Sequence, residues 1–313
     1  MTIGFVGCGN QAARTTFIET STQVNENLPQ VVATTSVLCD LTRQVAGNTV
    51  NLTCLIPPTA NPQFYKPKQE DRKAIEQANL ILYTGYNFEP NLIKLIKATK
   101  NPAPKIAVGQ VAVSKPQKFQ VGGKNVTDPH VWHNSKNTIR MVEVINSNLR
   151  KLESSNAETY SRNTKKITNE LTQLDKWIKS RIASIPAKKR KLVTTSDALG
   201  YYAKAYSISL AGGLQSISTN EKLTAARVKN LATNIKRAKV STIFAEEAIN
   251  PNLIESVATE AEVKISDRKL YAEGLGEPGS DGDTYQKMMI ANTRTIAEGL
   301  GGTYLMFEAK AAR

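Results

Sequence analysis

The sequence of 313 residues predicts an α/β protein in which two βα lobes with parallel sheets are joined by a single long backbone helix. Short apolar segments alternate with amphipathic segments in both halves of the chain, as in βα units. Between the halves, residues 157–185 contain neither Pro nor Gly and have helical periodicity. We therefore place an N-terminal α/β lobe at residues 30–134, connecting helices at 135–185 and a C-terminal α/β lobe at 186–313.

The N-terminal lobe contains four apolar segments that predict strands, at residues 31–38, 50–56, 80–83 and 106–108. Amphipathic segments at 41–46, 70–77 and 91–97 follow the first three and predict helices. Since parallel neighbours need a crossover connection that is usually helical, this alternation predicts a parallel sheet.

The connecting region is dominated by one predicted helix. Ile167, Leu171, Leu174 and Ile178 recur at helical spacing, and Pro186 marks the end of the helix. A helix of 29 residues extends about 43 Å at 1.5 Å per residue. Such a helix is long enough to run along both lobes.

The C-terminal lobe repeats the alternation of the first. We expect strands at 192–195, 208–210, 242–245 and 263–265, and helices at 221–238, 252–261 and 284–300. In open α/β sheets, ligands bind beyond the carboxyl ends of the strands. The loops that follow the strands, at 57–68, 109–134, 196–199 and 271–283, are therefore the candidates for one ligand site between the lobes.

The first residues permit two interpretations. Gly7, Gly9 and Ala12 match the spacing of a dinucleotide-binding turn and would favour an NAD-linked reductase. However, no helical apolar pattern follows them, and no acidic residue ends the next strand. The alternative is the end of a lipoprotein signal, because residues 5–8 (FVGC) resemble a bacterial lipobox. Residues 1–29 would then be a signal remnant with a polar linker, and lipid on Cys8 would tether the chain to a membrane.

The charge and the remaining motifs exclude other classes of function. The formal net charge of +14 would suit nucleic acid. The sequence lacks interleaved aromatic and basic residues, however, and Trp132 and Trp177 stand alone, so we expect no nucleic-acid binding. The sequence offers no Ser-His-Asp or Cys-His arrangement, and we do not expect an enzyme.

Several ordered motifs resemble the zinc/manganese-binding solute-binding proteins of bacterial ABC transporters. They are 57–67 (PPTANPQFYKP), 128–132 (DPHVW), 194–201 (TTSDALGY), 243–246 (IFAE), 250–254 (NPNLI) and 273–285, which contains EGL, PGS and TY in that order. The resemblance implies a two-lobed monomer that captures a divalent metal ion, of the zinc or manganese class, between its lobes. It also implies a partner permease with its ATPase, and a lipid-anchored location in the periplasm or on the outer face of the cytoplasmic membrane.

The same resemblance implies four metal-ligand positions, occupied here by Gln63, His130, Ser196 and Glu273. Only His130 is the usual family ligand, since the family places His, His or Glu, and Asp at the other three positions. Gln63 and Ser196 offer neutral oxygen atoms, which weaken Zn²⁺ binding and favour harder ions. Two alternatives stay open: a loop shift that brings in Asp197 or His133, and a degenerate site that binds another solute or binds metal weakly.

Cys39 and Cys54 are candidates for a disulfide bond. They lie 15 positions apart, at the ends of the first two predicted strands. If those strands are adjacent and parallel, both thiols lie at the same edge of the sheet. An exported compartment permits the bond, and two independent buried thiols are the alternative.

Overall fold

The computed structural model describes residues 27–121, 124–215 and 224–310, which form two α/β lobes. In the N-terminal lobe, β1 (Gln30–Ala33), β2 (Asn51–Cys54), β3 (Leu80–Tyr83) and β4 (Lys105–Ala107) form one parallel sheet in the order β2-β1-β3-β4. The register pairs Ala33 with both Cys54 and Leu82. Cys8 and the Gly7-Gly9 motif lie outside the described residues.

The first strand is shorter than the sequence predicts, because a helix begins where we expected the strand to continue. Helix α1 (Ser36–Ala46) starts directly after Thr35, whose hydroxyl accepts a hydrogen bond from the Leu38 backbone N–H at 3.4 Å. This N-cap satisfies one of the free N–H groups of the first turn. Cys39 therefore lies in a helix, and its predicted position at the end of a strand is wrong.

The other elements of this lobe lead to the central loops. Helices α2 (Gln69–Gln77) and α3 (Pro90–Ala98) match the prediction to within one residue at each end. The sequence did not predict the short helix α4 (Val108–Ala112) or the antiparallel hairpin of β5 (Lys118–Val121) and β6 (Lys124–Thr127). The hairpin leads directly to Asp128 and His130, so it positions part of the candidate site.

Two helices connect the lobes, α5 (Ser135–Leu152) and α6 (Ala157–Ala183). Helix α6 has 27 residues and is about 40 Å long at 1.5 Å per residue. Its predicted apolar face is buried, including Ile167, Leu171, Leu174 and Ile178. The helix ends at Ala183, three residues before Pro186, and a 3-10 turn at Ala187–Lys189 leads into the second lobe.

The C-terminal lobe contains two pairs of parallel strands, β7 (Lys191–Ser196) with β8 (Ser209–Gln215) and β9 (Thr242–Ile243) with β10 (Lys264–Ile265). The Phe244 backbone N–H donates a hydrogen bond to the Val193 carbonyl at 2.9 Å and joins the two pairs. The helices are α7 (Gly200–Ala205), α8 (Ala225–Ala238), α9 (Asn252–Ala261) and α10 (Tyr285–Gly299). Within the described residues, none of the helices is both long and apolar enough to cross a membrane.

The largest hydrophobic cluster extends through both lobes. It includes Leu41 of α1, Ile145 of α5, Leu171 of α6, Tyr202 of α7 and Met288 of α10, each fully buried. Buried apolar area contributes about 25 cal/mol per Å² to folding, so this shared cluster is a main source of cohesion between the lobes. It fixes the relative position of the loops that carry the candidate site.

Candidate metal-binding site

Four buried polar side chains lie at the ends of strands, or in the loops that follow strands, in both lobes. His130 follows β6, Ser196 is the last residue of β7, Glu246 follows β9 and Glu273 follows β10. Their exposed fractions are 0%, 2%, 1% and 3%, respectively. Burying charged groups is costly unless they are paired or bind a cation, so their arrangement indicates a site rather than a surface.

Asp128 fixes the orientation of His130. Its Oδ1 atom accepts hydrogen bonds from the His130 backbone N–H and from Nδ1, both at 2.9 Å. This bond keeps a proton on Nδ1, so Nε2 is the ring nitrogen that a metal ion would bind once it has released its own proton. Phe88 packs edge-on against the ring, with centroids 5.0 Å apart.

Glu273 faces this Nε2 atom from the other lobe. Its Oε2 lies 3.5 Å from Nε2, and neither atom has a hydrogen-bond partner within the described part of the chain. Burial lowers the pKa of His130, but the carboxylates of Glu273 and Asp128 outweigh burial and raise the pKa to about 10. In the metal-free protein the ring is therefore protonated at neutral pH, and Nε2 forms an ion pair with Glu273 across 3.5 Å. Two of the four predicted ligand positions are thus adjacent.

Ser196 contacts a carboxylate that was not predicted to be part of the site. Its hydroxyl donates to Glu246 Oε2 at 2.7 Å and its backbone N–H donates to Oε1 at 2.9 Å. Burial raises the pKa of Glu246 to about 7, and the two hydrogen bonds from Ser196 oppose that rise. The carboxylate of Glu273 raises the Glu246 pKa further and the charge of His130 lowers it, so the three groups act on one another electrostatically.

Gln63 lies in the loop between β2 and α2. Its side-chain Nε2 atom is buried and has no hydrogen-bond partner among the residues described. Rotation of the amide by 180° would place its carbonyl oxygen, a metal-ligand atom, at the same position. This loop contacts the loop of Glu273, because Thr59 donates to the Leu275 carbonyl at 3.2 Å and to Glu277 Oε1 at 2.8 Å.

The two residues considered as substitutes lie elsewhere. The His133 ring donates from Nε2 to the Ala272 carbonyl at 2.8 Å, and burial lowers its pKa to about 3. Asp197 lines a cavity of about 470 Å³ together with Asp128, Lys118 and Lys204. Both residues are thus engaged in contacts other than those of Ser196, and a loop shift that brings either to the position of Ser196 stays an alternative.

The predicted set converges in part. His130 lies beside Glu273, and Ser196 is hydrogen-bonded to Glu246. The loop that carries Gln63 contacts the loop that carries Glu273. Within the described residues, no three His, Cys, Asp or Glu side chains lie close enough to hold a metal ion as they stand. Sequence reasoning missed Glu246 as a site residue, although its position at the carboxyl end of a strand was a usable signal.

The structure also brings the two cysteines together. Their Cα atoms are 5.7 Å apart, within the range of disulfide bonds, and the two Sγ atoms are in bonding contact. The guanidinium group of Arg43 donates to both sulfur atoms, at 3.5 Å and 3.6 Å. Cys54 is the last residue of β2, and Cys39 lies in the first turn of α1.

The comparisons with known proteins agree on one family. Residues 31–299 match the family model described as zinc-uptake complex component A periplasmic. The metal ABC transporter substrate-binding lipoprotein ScbA of Streptococcus cristatus is 32% identical over 305 residues, covering 95% of each chain. The manganese ABC transporter substrate-binding lipoprotein PsaA of Streptococcus pneumoniae is 32% identical over 278 residues, covering 87% of this chain and 89% of PsaA.

A solved structure has the same architecture. The periplasmic zinc-binding protein TroA from Treponema pallidum superposes with a TM-score of 0.81 at 27% identity, covering 87% of this chain and 99% of TroA. The two lobes joined by a long helix, predicted from the sequence, are therefore confirmed. The alternative of an NAD-linked reductase finds no support in these relatives.

Proposed function

Because the chain belongs to the family described as zinc-uptake complex component A periplasmic, we propose that it is the substrate-binding component of a metal-ion ABC transporter. In this role it captures a divalent metal ion of the zinc or manganese class between its lobes and delivers it to the permease. It is a solute-binding protein and not an enzyme. The metal ion is its cargo.

One observation carries the proposal. The His130 Nε2 and Glu273 Oε2 atoms come from different lobes, are fully buried, and face each other without hydrogen-bond partners among the described residues. They pair with each other only at 3.5 Å, longer than a hydrogen bond, and a metal ion that takes the place of the Nε2 proton would bind both closely. A metal ion bound here would also join the two lobes.

The ligand atoms favour the harder ions of the class. One imidazole is available at His130, and the other positions offer oxygen atoms from Glu273, Gln63 and Ser196. Carboxylate and carbonyl oxygen suit Mn²⁺, whereas a tight Zn²⁺ site usually gathers more His or Cys ligands. We therefore propose Mn²⁺ as the preferred cargo, with Zn²⁺ bound less tightly than in relatives that keep the usual ligands.

The cellular arrangement follows from the class of protein. Substrate-binding proteins of ABC transporters work with a membrane permease and its ATPase, outside the cytoplasm. We propose that the chain is a monomer tethered to the membrane through lipid on Cys8. Mass spectrometry of membrane-extracted protein from cells should show a diacylglyceryl group on Cys8. A mature protein that keeps residues 2–7 would contradict this part.

The binding function is tested by elemental analysis and metal titration. Protein purified without chelator should contain about one equivalent of a divalent metal, and the stripped protein should take up one equivalent of Mn²⁺. The change His130→Ala should weaken binding at least 30-fold, whereas the exposed control Glu76→Gln should leave it unchanged. A stripped wild-type protein that binds neither Mn²⁺ nor Zn²⁺ would refute the function.

A further inference from the structure

We propose that Glu246, which follows β9, binds the metal ion in place of Ser196, the last residue of β7. Ser196 is then a positioning residue that orients the Glu246 carboxylate. The inference rests on the proposed function and identifies a ligand that the family positions do not include.

The hydrogen bonds of Ser196 define its role. Its Oγ atom donates to Glu246 Oε2 at 2.7 Å and accepts from the Ala198 N–H at 3.2 Å, while its backbone N–H holds Glu246 Oε1 at 2.9 Å. The hydroxyl proton is thus committed, and a neutral hydroxyl is a poor metal ligand. Both Ser196 donors instead fix the carboxylate of Glu246 in one orientation.

Glu246 keeps the capacity to bind a cation in this orientation. Each oxygen of an ionised carboxylate has two acceptor positions, and the described hydrogen bonds from Ser196 use one on each oxygen. Within the described part of the chain, neither Glu246 nor Glu273 forms an ion pair with a Lys or Arg residue. The basic group beside Glu273 is the imidazole of His130, and a divalent cation that takes the place of its Nε2 proton would neutralise both buried carboxylates.

Ser196 and Glu246 lie on neighbouring strands. The Phe244 backbone N–H, two residues before Glu246, donates to the carbonyl of Val193 on β7. The Glu246 carboxylate therefore reaches the end of β7, where its Oε2 atom lies 2.7 Å from the Ser196 hydroxyl.

The resulting ligand set differs from that implied by the aligned positions. It contains His130, Glu273 and Glu246, with the Gln63 amide as a fourth member. Two carboxylates balance the charge of a divalent ion, and the excess of oxygen over imidazole favours Mn²⁺. The His130 imidazole and the carboxylates of Glu246 and Glu273 are not close enough to hold a metal ion as they stand. These three groups therefore need to move closer together when the ion binds.

The test compares single variants with an exchange of the two side chains, using Mn²⁺ titration of the stripped full chain. We expect Glu246→Gln to weaken Mn²⁺ binding at least 30-fold and Ser196→Ala to weaken it less than tenfold. The double variant with Ser196→Glu and Glu246→Gln has a carboxylate at the end of β7 instead of after β9. It should bind Mn²⁺ at least tenfold more tightly than Glu246→Gln alone. Circular dichroism and Tm of each metal-stripped variant establish that it is folded.

A second readout does not depend on affinity. Infrared difference spectra of the wild-type protein with and without Mn²⁺ should show carboxylate bands that shift on binding, and the Glu246→Asp and Glu246→Gln variants should change or lose part of them. Binding unchanged in Glu246→Gln, or lost equally in Ser196→Ala, would overturn the inference. A wild-type protein that binds no metal would instead refute the proposed function, so the two failures are distinguishable.

Discussion

The carboxylate of Asp40 in α1 accepts a hydrogen bond from the backbone N–H of Tyr285, the first residue of α10, at 2.9 Å. The bond joins two sequence positions that are 245 residues apart. It satisfies a free N–H group at the start of α10, where a negative charge is also favoured by the helix dipole. Gln44 donates to the same oxygen atom at 2.7 Å and holds it in place.

Removal of this carboxylate should destabilise the protein. We expect Asp40→Ala to lower the free energy of unfolding by about 1–3 kcal/mol, because the buried Tyr285 N–H loses its acceptor. The matched control is Asp40→Asn, which keeps an oxygen acceptor and should lose less. Denaturant unfolding of the stripped proteins measures both values. Equal losses in the two variants would show that the hydrogen bond to Tyr285 is not the cause.

The second prediction concerns Cys39 and Cys54, which we propose form a disulfide bond in the exported protein. A bond that closes a loop of 15 residues stabilises a protein by about 3 kcal/mol. The double change of both residues to Ala should therefore lower the free energy of unfolding by roughly that amount. Thiol counting under denaturing conditions without reductant checks the bond itself, and two reactive thiols at these positions would contradict it.

The third prediction concerns pH and Glu89. This fully buried carboxyl group accepts hydrogen bonds from the Thr34 hydroxyl and the Thr84 N–H, and burial raises its pKa from 4.5 to about 7. The folded state therefore binds the proton more tightly than the unfolded state. Stability from this group is fully present below pH 4.5 and is lost as pH rises through about 7.

The variant Glu89→Gln mimics the protonated group and should remove this pH dependence. Relative to the variant, we expect the wild-type protein to lose about 3 kcal/mol of unfolding free energy between pH 4.5 and 7. Urea unfolding across that range measures the difference. Parallel pH profiles for the two proteins would mean that Glu89 is not the titrating group.

The fourth prediction concerns the choice of metal ion. Replacing Gln63 and Ser196 together with His adds two imidazole ligands at the aligned positions and should tighten Zn²⁺ binding by orders of magnitude. Each tenfold gain corresponds to about 1.4 kcal/mol. Mn²⁺ binding should gain much less, since imidazole is a softer ligand than carboxylate. Competition titrations with both metals measure the selectivity, and the single change Gln63→His separates the two positions.

Zinc should also stabilise the double variant against heat more than it stabilises the wild-type protein. An ion that binds only the folded state raises stability by mass action, so the shift in Tm should grow with zinc concentration. If the wild-type protein already binds Zn²⁺ at nanomolar strength, or the double variant gains nothing, the aligned positions are not the ligand positions.

The sequence predicts the order of elements well and some of their boundaries poorly. Periodicity locates β3 and α9 without error, because an apolar strand and an amphipathic helix are each bounded by polar residues there. Residues 36–38 are apolar or small and fit a strand or a helix equally, so only the capping hydroxyl of Thr35 decides between them. The β5–β6 hairpin has a signal that the prediction did not use: Lys118, Phe119, Gln120 and Val121 alternate polar and apolar, and a Gly-Gly pair follows them in the sequence.

The candidate site is predicted in part for a related reason. His130 and Glu273 are identified from motifs along the chain, and the structure brings their side chains to 3.5 Å. Glu246 belongs to a motif that we read only as a sign of family resemblance. Its contact with Ser196 depends on the pairing of strands that are 50 residues apart in sequence, and linear spacing does not contain that information.

The shared hydrophobic cluster has a consequence for how the molecule unfolds. Leu41, Ile145, Leu171 and Met288 belong to different helices on both sides of the ligand loops, yet they are buried in one continuous cluster. Each lobe also has a smaller cluster of its own, but unfolding either lobe would expose the apolar surface that the other contributes to the shared cluster, which adds to the free-energy cost of partial unfolding. We therefore expect the two lobes to unfold together, and an isolated half would lack part of the shared core.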